Sequence, residues 1–464
     1  MERKKQYNFL TTETISVKEK RREVMDKKQV QEIDKGRVIY SWSVQGNEHI
    51  VIDHAERIYL WDINGKRYID FCAGLLNINI GHSNKYVLDA MKKQMEKLTY
   101  VAPLFGTEPK ARLAEMIGEI TPGDLDYVFY TNGGAEANEN AIKVARWYTG
   151  RHKIYAAWRG YHGATAGAIT MTGDPRRWAA EPGIPGVVHF FGPFTYNSPF
   201  GSKDSEEECE NALRLLKEQI MLDGPKTIAA IFVEPIVGTN GIIVPPDGWL
   251  KGVREICDAN GILMVSDEVM TGWGRTGEWF GVDNWNIIPD MIVTAKGITS
   301  AYVPLGALIW NKKIYDYFCE NPFVGGLTNS GHALACTAGI ANIETYKREN
   351  LIENSKENGT YLLTKLKELK EQHRSIGDVR GGKGLFCCIQ LVEDRNTREP
   401  IAGYADSKRN ISKEIMKRLY DKGLYLFAKW DFMFVAPPLC ITKEEIDDAV
   451  SIIDEVLEYS DSLL

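Results

Sequence analysis

From Ile50 to Gly74 the chain alternates apolar and polar residues, "IVIDHAERIYLWDINGKRYIDFCAG", about the turn "DINGKR". That period of two predicts a β-hairpin or meander. The spacing then changes to that of helices: "NKYVLDAMKKQMEKLTY" and "TEPKARLAEMIGEITPG" each carry one apolar face, the second closed by Pro122 and Gly123. Five short apolar runs come next, "DYVFYT", "KIYAAW", "IAAIFVEP", "GILMVSDEV" and "DMIVTAKG", separated by helical or glycine-rich stretches. Such alternation predicts an α/β fold whose central sheet is mostly parallel, with helices on both faces. Towards the C-terminus, helix-like "SGHALACTAGIANIETYKREN" and "GTYLLTKLKELKEQH" lead into strand-like "GLFCCIQLVED", "GLYLFAKW" and "FMFVAPPL" and a final helix "KEEIDDAVSIIDEVLEYS". The pattern divides the chain into an N-terminal arm and meander over 1–75, a large α/β domain over 76–345 and a smaller α+β domain over 346–464.

Composition narrows the partners. The 464 residues are 44% hydrophobic and 26% charged, with a net charge of −7, so nucleic acid and anionic membrane are not expected to bind and small molecules are. The eight cysteines form no CxxC pair and no metal-ligand spacing, which suits reduced thiols in the cytoplasm and predicts no metal. The start, "MERKKQYNFLTTETISVKEKRREVMDKKQ", is charged throughout, and no run of about 18 apolar residues occurs. A cytosolic protein with a charged arm, helical or loose, is expected.

The candidate chemistry lies at strand ends. "GWGRTG" has the GxGxxG spacing of a dinucleotide loop, but "EWFGVDNWNIIPD" comes after it, poor material for the helix such a loop must open. Glu234, Asp267 and Lys296 each end a predicted strand, and in an open parallel sheet those ends form the ligand crevice. Taken singly, each is better read as half of an ordinary salt bridge at the sheet edge. Together a lysine and an aspartate beside a phosphate site suit pyridoxal phosphate (PLP), whose aldehyde needs an amine and whose ring nitrogen needs a carboxylate. The phosphate cradle is "TNGGAEANENAIKVAR", where Gly133, Gly134 and Ala135 sit between a strand and a helix N-terminus. "WRGYHGATAG" adds Tyr161 and His162 on a loop, and the aromatic can stack on a flat ring.

In order and spacing, "TNGGAEANENAIKVAR", "YHGAT", "VEPIVGTNGIIVPPDGWL", "SDEVMTGWGRTG", "TAKGITSAYVPLGA", "LTNSGHALACTAG" and "VAPPL" resemble the class III (omega) aminotransferases of PLP fold type I, from about Trp42 to the end. The resemblance implies that Lys296 is the Schiff-base lysine and proton carrier, that Asp267 pairs with the ring nitrogen and that Tyr161 stacks on the ring. It further implies that Gly133, Gly134 and Ala135 bind phosphate, that Glu234 orients the cofactor face, and that His162 and Val269 complete the contacts. Thr328 would reach the phosphate of a neighbouring subunit, so a homodimer with shared active sites is implied, pairing into tetramers being left open. Departures bear on the substrate. Ala164 and Phe427 stand where relatives carry carboxylate-binding arginines, and Met270 stands where many have glutamine. Lys429, Arg159 and Arg177 then become candidates to hold an acid group, with Trp42 as a pocket wall. The character is that of taurine transaminases: a primary-amine donor, taurine, and a 2-oxo acid acceptor, 2-oxoglutarate or pyruvate. A PLP racemase or epimerase of the same fold, and an inactive binding homologue, are the alternatives.

Overall fold

The computed structural model describes residues 25–403 and 411–464. The first 24 residues of the predicted arm lie outside that range. The rest of the arm opens with a surface helix, Lys27–Arg37, started by a capping box in which Asp26 accepts from the Gln29 amide and Gln29 accepts in return. The meander forms as β1 (Ile52–Glu56), β2 (Tyr59–Asp62) and β3 (Arg67–Asp70), paired antiparallel. Asp62 shapes the β2–β3 turn by accepting from the amides of Asn64 and Lys66 at 2.8 and 2.9 Å.

The central sheet has seven strands: β4 (Tyr127–Thr131), β5 (Lys153–Ala157), β6 (Val187–Phe190), β7 (Ile228–Val233), β8 (Leu263–Asp267), β9 (Met291–Thr294) and β10 (Gly306–Trp310). Their order is β4-β10-β9-β8-β7-β5-β6. Strands β7, β8 and β9 are buried at every position, as their unbroken apolar runs require. Strand β10 runs antiparallel to both neighbours, so the sheet is mixed rather than uniformly parallel. Neither β6 nor β10 was expected from the pattern. Strand β6 is a half-exposed edge, and β10 comes after a loop of glycine, serine and proline with no crossover helix before it.

A second, antiparallel sheet is built from β11 (Ile376–Gly381), β12 (Cys387–Asp394) and the short β13 (Glu399–Pro400), together with β15 (Phe427–Lys429) and β16 (Phe432–Val435). Between them β14 (Leu424–Tyr425) joins β3 in parallel, so the C-terminal part extends the N-terminal meander. Helix Ala333–Arg348 packs on helices Lys85–Lys97 and Glu108–Gly118, and the left-handed Asn350 separates it from helix Leu351–Gln372. Among the described residues no helix is long and apolar enough to cross a membrane.

"GWGRTG" is the seam between these layers. Trp273 donates to Thr294 at the end of β9 at 2.6 Å and its carbonyl accepts from Tyr346 and Asn79. Arg275, fully buried, donates to the carbonyls of Leu385 and Pro437 at 3.0 and 2.6 Å and to Asn79 at 2.7 Å. The neighbouring Glu268 is spent in the same seam, accepting from the amides of Gly281 and Val282. The loop is therefore a structural tie, and no α-helix opens from it as a dinucleotide loop would require. Arg275→Met strands three buried acceptors and is expected to lower unfolding free energy by about 2 kcal/mol or more. Urea unfolding checks this, and an unchanged midpoint would show that the seam does not rest on Arg275.

Candidate active site

The site grows from the C-terminal ends of β4, β5, β7, β8 and β9. At the end of β4 the chain turns at Asn132 and Gly133 into helix Gly134–Thr149, whose N-cap glycine has no side chain to satisfy the first amides. The first-turn carboxylate of Glu136 folds back onto the Asn132 amide at 2.8 Å. Small residues are required here by close approach. A Cβ at Gly134 would lie 2.7 Å from Val269, and one at Gly163, where φ is +134°, would lie 2.6 Å from the Ala135 Cβ. The loop after β5 and the loop after β8 thus press on the turn, and the uncapped helix end faces a cavity of about 830 Å³.

Asp267, at the end of β8, is buried and held from three sides. Its Oδ2 accepts from Asn138 Nδ2 on that helix at 2.8 Å and lies 2.7 Å from His162 Nδ1, while Oδ1 accepts from the Val269 amide at 3.1 Å. Asn138 Nδ2 also donates to the His162 carbonyl at 2.8 Å, so one amide group binds the β5 loop to the β8 carboxylate. Burial works against a charged His162, but the Asp267 carboxylate outweighs it and the imidazole pKa is raised.

Glu234, after β7, accepts from the amides of Tyr161 and Gly238, both at 2.8 Å. Burial pushes its carboxyl up to about 7, with Asp267 adding to the rise. Lys296, after β9, has a left-handed φ of +46° and lines the cavity. Burial lowers its ammonium to about 8, against the pull of Asp267 and Glu234 in the opposite direction. The depressed pKa leaves a larger share of the amine neutral and able to react, and the left-handed backbone is of the kind found at functional sites.

Of the residues singled out from the sequence, Gly133, Gly134, Ala135, Tyr161, His162, Glu234, Asp267, Val269, Lys296, Trp42 and Phe427 all line this cavity. Thr328 does not; it is exposed on the surface, with its carbonyl accepting from Tyr100. Arg159 and Arg177, named as candidates to hold an acid group, do not line this cavity either; Arg159 lines a smaller pocket that adjoins it at His162 and Glu234. The Arg159 guanidinium lies 5.3 Å from the Phe194 ring, and Arg177 pairs with Glu181 and lies over Trp158. The arginine that does reach the cavity is Arg176, 3.6 Å from the Tyr161 ring centroid and held by Asp174. Adjacent side chains of the 3₁₀ helix Pro175–Ala180 diverge by about a third of a turn, so sequence had no means of choosing between the two arginines. Lys429, the remaining candidate, also lines the cavity.

This geometry matches known proteins over nearly its whole length. The family model for class-III aminotransferases matches residues 41–457. The chain belongs to the class III aminotransferases. Among solved structures, the taurine:2-oxoglutarate aminotransferase of Bifidobacterium kashiwanohense, in complex with PLP and glutamate, superposes with a TM-score of 0.92 at 40% identity, covering 95% of this chain and 99% of that one. The taurine–pyruvate aminotransferase of Bilophila wadsworthia is 35% identical over 93% of this chain and 97% of its own. A leucine/methionine racemase of Thermococcus litoralis is 34% identical over 88% and 90%. The aminotransferase is PLP-dependent, with the fold-type I architecture, and its own residues suit the cofactor. An uncapped 16-residue helix faces the cavity with its positive end, which would suit a phosphate, and the carboxylate of Asp267 and the amine of Lys296 would suit the ring nitrogen and the aldehyde.

The depressed Lys296 pKa makes a pH prediction. The neutral amine is the reactive form, and its fraction rises as pH rises through the pKa. Reconstitution of the cofactor-free aminotransferase with PLP is expected to accelerate with pH and level off above about 8, the value to which burial lowers the ammonium. Growth of the visible absorption band measures it. A rate still climbing in proportion to hydroxide between about pH 8 and pH 10 would assign Lys296 the behaviour of a solvated lysine.

Proposed function

We propose that the aminotransferase moves the amino group of a primary-amine donor, taurine, to a 2-oxo acid, 2-oxoglutarate or pyruvate, in two alternating half-reactions. The observation that carries this reading is the convergence of Lys296, Asp267 and the uncapped helix end on one cavity. Bound PLP supplies the electron-accepting ring to which the amine is joined. The chain does the rest. The amides of Gly134 and Ala135, with the helix dipole, hold the phosphate. Asp267, fixed by Asn138 and His162, keeps a proton on the ring nitrogen. Tyr161 would stack on the ring, Val269, which packs against the Gly134 turn, would lie beside it, and Glu234 fixes the Tyr161 backbone. Lys296 would hold the cofactor through its amine and, when that amine is free, would take a proton from the donor carbon and return it.

The taurine assignment draws on relatives that bear that activity in their names. The racemase relative supports a second reading, in which Lys296 moves a proton on and off one amino acid and no acceptor is needed. The two separate in a single experiment. Taurine is added to the purified holoprotein without oxo acid and the visible band is monitored. Pyruvate or 2-oxoglutarate is then added, and alanine or glutamate is measured. The transaminase reading expects the band to be lost, then restored with amino acid formed, and all of it to vanish in Lys296→Ala. Racemisation of an amino acid with no need of an oxo acid, and no band loss with taurine, would favour the second.

We further propose a homodimer. Leu104, Phe105 and Val324 are 81%, 57% and 73% exposed, an apolar surface on the segments that flank Tyr100 and Thr328. A second copy covering it would bring Thr328 towards the partner's phosphate site. Light scattering is expected to give twice the chain mass, and Thr328→Ala to weaken PLP binding about tenfold. A monomer with full PLP affinity would contradict both.

A further inference from the structure

Two carboxylates line the cavity among the described residues. Asp267 lies 2.7 Å from His162, whereas Glu234 forms no ion pair there. Its two oxygens each accept one backbone amide, Oε1 from Tyr161 and Oε2 from Gly238, both at 2.8 Å. Burial disfavours its charge, and Asp267 on the next strand adds to that against the pull of His162, so the carboxyl is pushed up to about 7. Lys296, after β9, feels the same carboxylate from across the cavity.

A protonated carboxyl has one O–H to donate, and its hydroxyl oxygen still accepts. Both amide contacts of Glu234 therefore survive protonation. A glutamine could not do the same, because its amide nitrogen would meet Tyr161 or Gly238 donor to donor. The side chain lines the cavity, so the O–H is available to what binds there.

The order of the strands fixes which part of PLP would face it. On the pyridine ring the aldehyde is para to the nitrogen, the phosphate arm is beside the aldehyde, and the flank away from the phosphate has a methyl group and a hydroxyl oxygen. With the phosphate at the helix after β4, the aldehyde at Lys296 after β9 and the nitrogen at Asp267 on β8, the order β4-β10-β9-β8-β7 puts Glu234 on that far flank. Val269 and Met270 repeat the polarity. A Cβ at Gly134, in the phosphate turn, would lie 2.7 Å from Val269, and one at Gly238 would lie 2.3 Å from Met270 Sδ and 3.2 Å from Glu234 Oε2. Met270 thus borders the far flank without a donor to offer, and the methyl group there cannot take a proton.

We propose that Glu234 donates the O–H of its carboxyl to the ring oxygen of bound PLP while its two oxygens continue to accept from Tyr161 and Gly238. One side chain then ties the loop after β5, the loop after β7 and the cofactor together. The inference rests on the PLP reading of the cavity, with Asp267 at the ring nitrogen, and not on the identity of the amine. Negative charge on that oxygen holds a proton on the nearby Lys296 nitrogen in the linked cofactor. A donor at the oxygen draws on that charge and lowers the pH at which the nitrogen is deprotonated.

The test measures cofactor affinity of the full chain by equilibrium titration, in wild type and Glu234→Ala, each with PLP and with 3-deoxypyridoxal phosphate, which lacks the ring oxygen. Loss of support for Tyr161 weakens both cofactors alike, and loss of a bond to the oxygen weakens PLP alone. The preference for PLP over the analogue is expected to fall about tenfold or more in Glu234→Ala. The pH midpoint of the visible band is expected to rise by about one unit. An unchanged preference, or a midpoint that does not rise, would overturn the proposal. If the variant does not fold, the wild type decides alone. Its infrared spectrum with PLP minus that with the analogue, near neutral pH, is expected to contain a protonated-carboxyl band that shifts in deuterium oxide, and a difference spectrum without one would overturn it. A visible band that forms equally well in Lys296→Ala would instead refute the PLP reading of the cavity, whatever Glu234 does.

Discussion

One buried carboxylate organises the site. Asp267 sits at the end of β8 with almost no access to solvent, and an isolated charge there would cost several kcal/mol. It is tolerated because three separate segments bring it partners: Asn138 from the helix after β4, His162 from the loop after β5, and the Val269 amide from its own loop. Satisfying Asp267 therefore also fixes where those loops stand relative to each other. Asn138 has two amide hydrogens and uses one on Asp267 and the other on the His162 carbonyl, which leaves Tyr161, the next residue back, little freedom. Glu234 closes the arrangement from β7 by accepting from the Tyr161 amide.

Around that anchor the cavity is divided electrostatically. One end has the uncapped helix and Lys296, suited to a phosphate and a reactive amine. The wall beyond Tyr161 has Arg176 and Lys429, suited to an acid on the substrate. Tyr161 lies between them, with Arg176 stacked on its ring. The two cationic regions are thus coupled through one aromatic side chain, and both are built on loops at strand ends of a rigid sheet. That is how an open α/β sheet places charges far apart in sequence within one crevice.

Much of this was legible in the chain. Fully buried strands announce themselves as unbroken apolar runs, so β7, β8 and β9 were identifiable, and with them the ends carrying Glu234, Asp267 and Lys296. The glycine turn before helix Gly134–Thr149 was equally visible, because only small residues tolerate the contacts made there. What escaped depended on tertiary context. Strand β10 pairs antiparallel with β4 and β9 although no local feature sets its direction, and β14 joins β3 across more than three hundred residues. Arg176 and Arg177 are identical in type and adjacent, and only the phase of a short helix turns one inward. Arg275 looked like part of a loop motif, and its burial against Leu385 and Pro437 could not be read without the fold.

The central claim is that these strand ends form one PLP site with Asp267 at the ring nitrogen. A crystal structure of the PLP-bound protein tests it most directly. The account predicts the ring nitrogen within hydrogen-bond distance of Asp267, Lys296 Nζ joined to the cofactor, and the phosphate on the amides of Gly134 and Ala135. A ring nitrogen facing any other group, or a phosphate held away from that helix end, would contradict it.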